Sequence, residues 1–100
     1  VVGISSGTTV GFRYLQFGNN APQAVRVVLG SHKKLKVNIR IDSYNGRIAA
    51  SMDFNENQKE LETALDFGIV GRHAVYFEFL SDEAGEIAEF DRFSFVSEDE

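Results

Sequence analysis

The sequence predicts an all-β domain, an antiparallel β-sandwich of jelly-roll type, on three observations. Apolar residues recur with a period of two, most clearly in LKVNIRI over 35–41, and a half-buried strand needs that period. The alternating runs are short and punctuated by Gly, Asn and Pro turns, as in stacked sheets. The segment 71–95, GRHAVYFEFLSDEAGEIAEFDRFSF, reads as two aromatic-rich strands joined by an acidic, glycine-containing loop.

The elements follow in order. TTVGFRYLQF (8–17) is a strand with Val10, Phe12 and Tyr14 on one side. Asn19-Asn20-Ala21-Pro22 breaks it with the only proline of the chain. AVRVVL (24–29) is a short β-branched run suited to a buried strand. A turn at Gly30 to Lys33 leads into 35–41, where Leu35, Val37, Ile39 and Ile41 point inward and Lys36, Asn38 and Arg40 outward. Asp42 to Gly46 then holds an Asn-Gly pair, a hairpin signal because both residues tolerate positive φ. The return strand, Arg47 to Phe54, places Ile48, Ala50, Met52 and Phe54 on one face. NENQKELETAL (55–65) fits a helix by propensity and a strand by the spacing of Leu61, Thr63 and Leu65. Gly68 and Gly71 bracket a turn before Val75, Phe77 and Phe79, and Phe93 and Phe95 line the last strand. Seven strands result. The expected core is Phe12, Val27, Val37, Ile39, Ile48, Met52, Val75, Phe77, Phe79, Phe93 and Phe95.

One hundred residues suit one domain, assigned here to 1–96, followed by an acidic tail at 97–100. The opening VVGISSG reads as cut from a longer chain, and no signal peptide is visible in it. Ten Lys and Arg stand against fifteen Asp and Glu, a formal net charge of -5. That balance argues against nucleic acid as a partner, which calls for a basic patch. The basic group His32, Lys33, Lys34 and Lys36 sits at a turn and reads as solvated. No apolar run approaches the ~20 residues of a membrane-spanning helix, so no membrane insertion is expected. There is no cysteine, which removes disulfide and thiolate chemistry without fixing the compartment.

Enzymatic readings are poor. A glycosidase needs two positioned carboxylates, whereas Asp53, Glu56, Glu60, Glu62 and Asp66 form a loose acidic run suited to a solvated face. His32 and His73 are the only histidines, and Ser5-Ser6-Gly7 lacks the G-x-S-x-G spacing of a nucleophile elbow.

Five segments, in order, resemble the family 6 carbohydrate-binding modules, β-sandwich jelly rolls attached to glycoside hydrolases. They are Ser6-Gly7 with VGFRYLQFG (10–18), AVRVVLGS (24–31), VNIRIDSYNG (37–46), GRHAVYFEFL (71–80) and EFDRFSF (89–95). The likeness covers about Ile4 to Phe95 and favours the strand reading of 55–65. Members usually begin with one more, acidic strand that this sequence lacks.

The resemblance implies a secreted or cell-surface, non-catalytic domain. It would bind a polysaccharide of xylan or β-glucan type beside a neighbouring catalytic domain. The family's sugar cleft takes two aromatics and an asparagine; the matching positions here are Thr9, the vicinity of Lys59 and Glu60, and Glu89. All three depart from the pattern, and the chain has no Trp. The carbohydrate-binding candidates are therefore Tyr44, in a turn where folding needs no aromatic, with Glu89 and Arg92. Arg92 offers a planar fork to a carboxylate-bearing sugar; a cross-strand or solvated role is the plainer reading of the pair. Tyr44 equally suits a ring lying over its hairpin. Asp91 matches an aspartate near the family's structural calcium, whose other ligands would come from the intact parent. His73 holds a position where the family places a structural hydrogen-bonding residue. The alternative function is a structural or interaction sandwich with no sugar binding of its own.

Overall fold

The computed structural model describes residues 4–18, 21–43 and 45–96. Two four-stranded antiparallel sheets face each other. Their strands are β1 (Ile4–Ser5), β2 (Thr9–Gln16), β3 (Ala24–His32), β4 (Leu35–Ile41), β5 (Ile48–Phe54), β6 (Glu60–Ala64), β7 (Arg72–Leu80) and β8 (Glu86–Val96). One sheet has the order β1-β8-β3-β6 and the other β2-β7-β4-β5. Only β4–β5 is a hairpin within a sheet; every other connection crosses between sheets. The two aromatic strands of 71–95 are thus consecutive in sequence but belong to opposite sheets. The ambiguous segment resolves as β6, a strand paired with β3 from Ala24↔Ala64 to Val28↔Glu60. An eighth strand, the two-residue β1, was not legible in the periodicity because two residues carry no period.

The core is aromatic and spans both sheets. Phe77 on β7 lies 5.0 Å from Phe90 and 4.8 Å from Phe93, both on β8, and 5.7 Å from Phe12 on β2. Tilted and edge-to-face pairs at these separations add about 0.5–1.5 kcal/mol each beyond burial. Val27, Val37, Ile39, Met52, Val75, Phe77 and Phe79 are buried as expected. Phe12, Phe93 and Phe95 pack against the core but stay half-buried. They flank the side of the sandwich where β1, at two residues, covers little of the eleven-residue β8.

Bulges alter the expected alternation at several points. In β2, Phe12 faces Val75 and Leu15 faces His73, so the strand carries an extra residue there and Tyr14, expected on the Val10–Phe12 face, is exposed. In β5, Ala50 faces Ile39 and Ile48 faces Arg40, so Ala49 is extra. Ala49 is buried and Ile48 only half-buried, the reverse of the sequence expectation for that end of the strand. In β8, Phe90 faces Leu29 and Arg92 faces Val28, so Asp91 is extra. A bulge inserts one residue and shifts the phase; here it brings Phe90 onto the same inner face as Phe93 and Phe95.

The hairpin at Asp42–Gly46 depends on glycine for a different reason than expected. Gly46 does not sit at positive φ; Asp42 does, at 75°. A Cβ on Gly46 would meet the Ile41 carbonyl oxygen at 2.0 Å, so close backbone approach demands glycine there.

His73 ties this end together. Its Nδ1 lies 2.9 Å and 3.2 Å from the two Asp42 carboxylate oxygens, and its Nε2 lies 2.8 Å from the Val70 carbonyl. Both ring nitrogens face acceptors, so the imidazolium, with two N–H groups, satisfies the site best. The hydrogen bond to Asp42 raises the His73 pKa, against partial desolvation. These contacts tie the start of β7 to the β4–β5 turn.

Two outcomes follow from this packing. Phe77→Ala should lower stability by about 3–5 kcal/mol, read as a lower denaturant midpoint in urea. The His73–Asp42 contribution is fully present below the unfolded pKa and is lost as pH rises through the raised folded pKa. The urea midpoint should therefore fall as pH rises above the unfolded value of about 6.5 and through the raised folded pKa, and His73→Gln should remove that part of the fall.

Candidate carbohydrate-binding surfaces

The antiparallel order fixes which loops share an end. The β1–β2, β3–β4, β5–β6 and β7–β8 connections close one end, here the loop end; β2–β3, β4–β5 and β6–β7 close the other. At the loop end, short polar staples hold the connections. Ser6 Oγ donates to the Ser81 carbonyl at 3.0 Å, Ser81 Oγ to the Lys34 carbonyl at 2.8 Å, and Lys33 Nζ to the Ala84 carbonyl at 3.1 Å. His32 Nε2 is hydrogen-bonded to the Gln58 carbonyl. Part of the basic turn is therefore structural.

The residues matching the family cleft lie around this end without an aromatic platform. Glu60 is across from Val28 on β3, and Glu89 lies on the other flank of β3, its carboxylate over Gly30. Thr9 is in the other sheet, across from Glu78. Among the described residues, the aromatics nearest this end, Phe54 and Phe79, are fully buried.

The sequence candidates scatter. Glu89, Asp91 and Arg92 are all exposed on β8. Arg92 Nη1 lies 3.3 Å from Asp91 Oδ2, and that pairing, not one with Glu89, is what its guanidinium makes. Asp91 is the bulged residue. Tyr44 lies outside the described residues; the flanking Asp42 and Gly46 belong to the end opposite the loop end. Among the described residues no three His, Cys, Asp or Glu side chains come together as a metal site. Asp91, paired with Arg92, does not fit a calcium ion on the ligands described, since calcium takes six to eight oxygens. The rest of this face is self-neutralised: Arg26 reaches Glu60 at 3.1 Å and Glu62 at 2.8 Å. These contacts raise the guanidinium pKa, the Glu62 hydrogen bond most of all.

The outer face of the β2-β7-β4-β5 sheet is built differently. Period-two alternation sends Tyr76 and Glu78 of β7, and Lys36, Asn38 and Arg40 of β4, to the side opposite the core. Glu78 Oε1 accepts from Asn38 Nδ2 at 3.3 Å and from Arg40 Nε at 3.2 Å. Asn38 Oδ1 accepts from Ser51 Oγ at 2.6 Å, and Arg40 Nη1 donates to the Gly46 carbonyl at 3.0 Å. Asn38 is 7% exposed, so the network is held rigidly. Beside it the Tyr76 ring covers Gly11, where a Cβ would come within 2.8 Å of the ring. One pleat toward the loop end, Lys36 stands between Leu80 and Asp53. Beyond the network, at the loop end, lies a groove of about 630 Å³ lined by Ser6, Lys34, Lys36, Ser81, Asp82 and Glu83 among others. Sequence reasoning saw Asn38 and Arg40 pointing outward but attached no role to them. The signal for Tyr76 and Glu78 was the same alternation that put Phe77 and Phe79 in the core.

Tyr14 on β2 is the exposed aromatic among the described residues, 57% accessible, whereas Tyr76 is only 9% exposed. The Arg72 guanidinium lies 4.9 Å over its ring, so one ring face is already covered.

The sequence matches no protein-family model and no curated protein. Solved structures do match. The chain is similar to part of a glycoside hydrolase family 43 arabinoxylan arabinofuranohydrolase from Bacillus subtilis, at 22% identity and a TM-score of 0.86. The match covers 97% of this chain but only 21% of that one, whose structure was solved with cellotetraose. It is similar to a family 6 carbohydrate-binding module from Clostridium cellulolyticum, solved with xylose, at 17% identity and a TM-score of 0.78, covering 94% of this chain and 75% of that one. A third likeness is to a module from Clostridium stercorarium solved with cellobiose, at 12% identity and a TM-score of 0.74, covering 95% and 71%. The chain has the β-sandwich fold of the family 6 carbohydrate-binding modules.

Proposed function

We propose that the domain is a non-catalytic carbohydrate-binding domain that holds polysaccharide on the outer face of the β2-β7-β4-β5 sheet. The observation that carries this reading is the prearranged Glu78–Asn38–Arg40–Ser51 network; the 630 Å³ groove lies beyond it at the loop end and shares none of these residues. Sugar recognition needs fixed polar groups for hydroxyls and an aromatic surface for C–H faces. The Glu78 carboxylate spends Oε1 on protein donors, which leaves Oε2 to accept from a ligand hydroxyl. Fixing these side chains within the fold lowers the entropic cost of binding. The fold likeness supports the same class of function.

The ligand class is a β-linked polysaccharide of xylan or β-glucan type, and the setting a secreted or surface protein with a catalytic neighbour. Glu89 and Arg92 on β8 form the competing surface; Tyr44, the third candidate, lies outside the described residues. Calcium at Asp91 would need oxygen ligands beyond those described here.

Affinity electrophoresis and calorimetry against soluble xylans and β-glucans test the proposal. One of them should retard the domain. Glu78→Gln, which keeps the shape but replaces a charged acceptor, should weaken binding about tenfold or more, while Glu89→Gln and Arg92→Ala leave it unchanged. The opposite pattern would move the ligand to β8. Failure of the folded domain to bind any glycan would favour the structural, non-binding reading.

A further inference from the structure

At the end of the sandwich opposite the loop end lies a second cavity, of about 270 Å³, which the sheet-face reading leaves without a role. Its walls come from the β4–β5 hairpin (Ile41, Asp42, Arg47), the β6–β7 connection (Phe67, Gly68, Ile69) and His73 of β7. The floor is apolar: Ile69 is 2% and Ile41 7% exposed. Two charged groups of opposite sign stand on it without pairing with each other.

Arg47 is one of them. Its guanidinium carbon lies 4.0 Å from the centre of the Phe67 ring. Stacking of this kind fixes the plane of the guanidinium without using its N–H groups. Among the described residues the Arg47 side chain makes no ion pair or hydrogen bond, so its fork remains available. Asp42 is the other. Both its oxygens are oriented by His73 Nδ1, at 2.9 Å and 3.2 Å, yet each retains a lone pair for another donor. His73 is fully engaged, since Nε2 meets the Val70 carbonyl, and so it serves to position Asp42.

We propose that this cavity is a binding subsite for a single carboxylate-bearing pyranose, a uronate side group or chain end. The carboxylate pairs with the planar fork of Arg47, a ring hydroxyl donates to Asp42, and the C–H face of the sugar lies on Ile41 and Ile69. A planar, immobilised guanidinium matches a carboxylate bidentately, whereas a neutral hexose leaves that fork unsatisfied. The volume suits one ring and excludes a chain lying along its length. The choice of a sugar as ligand rests on the carbohydrate-binding reading; the geometry for a carboxylate beside a hydroxyl stands on the cavity alone.

Amide chemical-shift mapping of the isotopically labelled full chain tests it, with glucuronate, glucose and a neutral xylo-oligosaccharide as separate probes. Glucuronate should shift the amides of Arg47, Gly68 and Ile69, and glucose should not. Arg47→Lys keeps the charge but loses the planar fork, and should weaken the glucuronate response about tenfold or more. An unchanged melting temperature would show that the variant is folded. Absence of a glucuronate response, or one that survives Arg47→Lys, overturns the subsite. The xylo-oligosaccharide reports separately on Asn38 and Glu78, so failure of the sheet face and failure of this cavity read out at different residues.

Discussion

The contact between Phe77 of one sheet and Phe90 and Phe93 of the other is the constraint on which the rest depends. It joins the two sheets at the centre of the molecule, and it requires the Asp91 bulge to bring Phe90 and Phe93 to one face. With a β-sandwich core close-packed to near-crystalline density, the inward residues are committed. Their outward neighbours are then placed with equal definition. Tyr76 and Glu78 flank Phe77 in sequence, so the packing that locks Phe77 also presents the polar face to solvent.

The two outer faces differ in how they spend their charges. On the β1-β8-β3-β6 face, Arg26 neutralises Glu60 and Glu62, and Arg92 neutralises Asp91. These are exposed pairs, individually worth little. On the opposite face, Asn38 and Arg40 both donate to Glu78, and Ser51 donates to Asn38, in a half-buried network. A network satisfied within the protein stays put when a ligand arrives, which is what a hydroxyl-rich ligand requires.

Much of the fold was legible because strand alternation is a local signal. Val75, Phe77 and Phe79, and Val37, Ile39 and Met52, could be placed in the core by counting in twos. The exceptions have physical causes. Ala49 and Ile48 exchanged burial because a bulge, a property of paired strands, cannot be seen in one strand alone. Segment 55–65 carried helix-forming residues, and pairing with β3 overrode that weak preference. The site was less legible. Glu89, on β8, stood out by departing from a motif. Asn38 and Glu78 lie forty positions apart and meet only across the β4–β7 register. The Arg47–Phe67 stack likewise joins two connections that no spacing rule links.

The most direct measurement is a crystal structure of the domain soaked with xylo- or cello-oligosaccharide. The account requires sugar density over the Glu78–Asn38 network, with a hydroxyl within hydrogen-bond distance of Glu78 Oε2. Density confined to the loop end, beside Thr9, Lys59 and Glu89, would contradict it and return the ligand to the cleft that this sequence has altered.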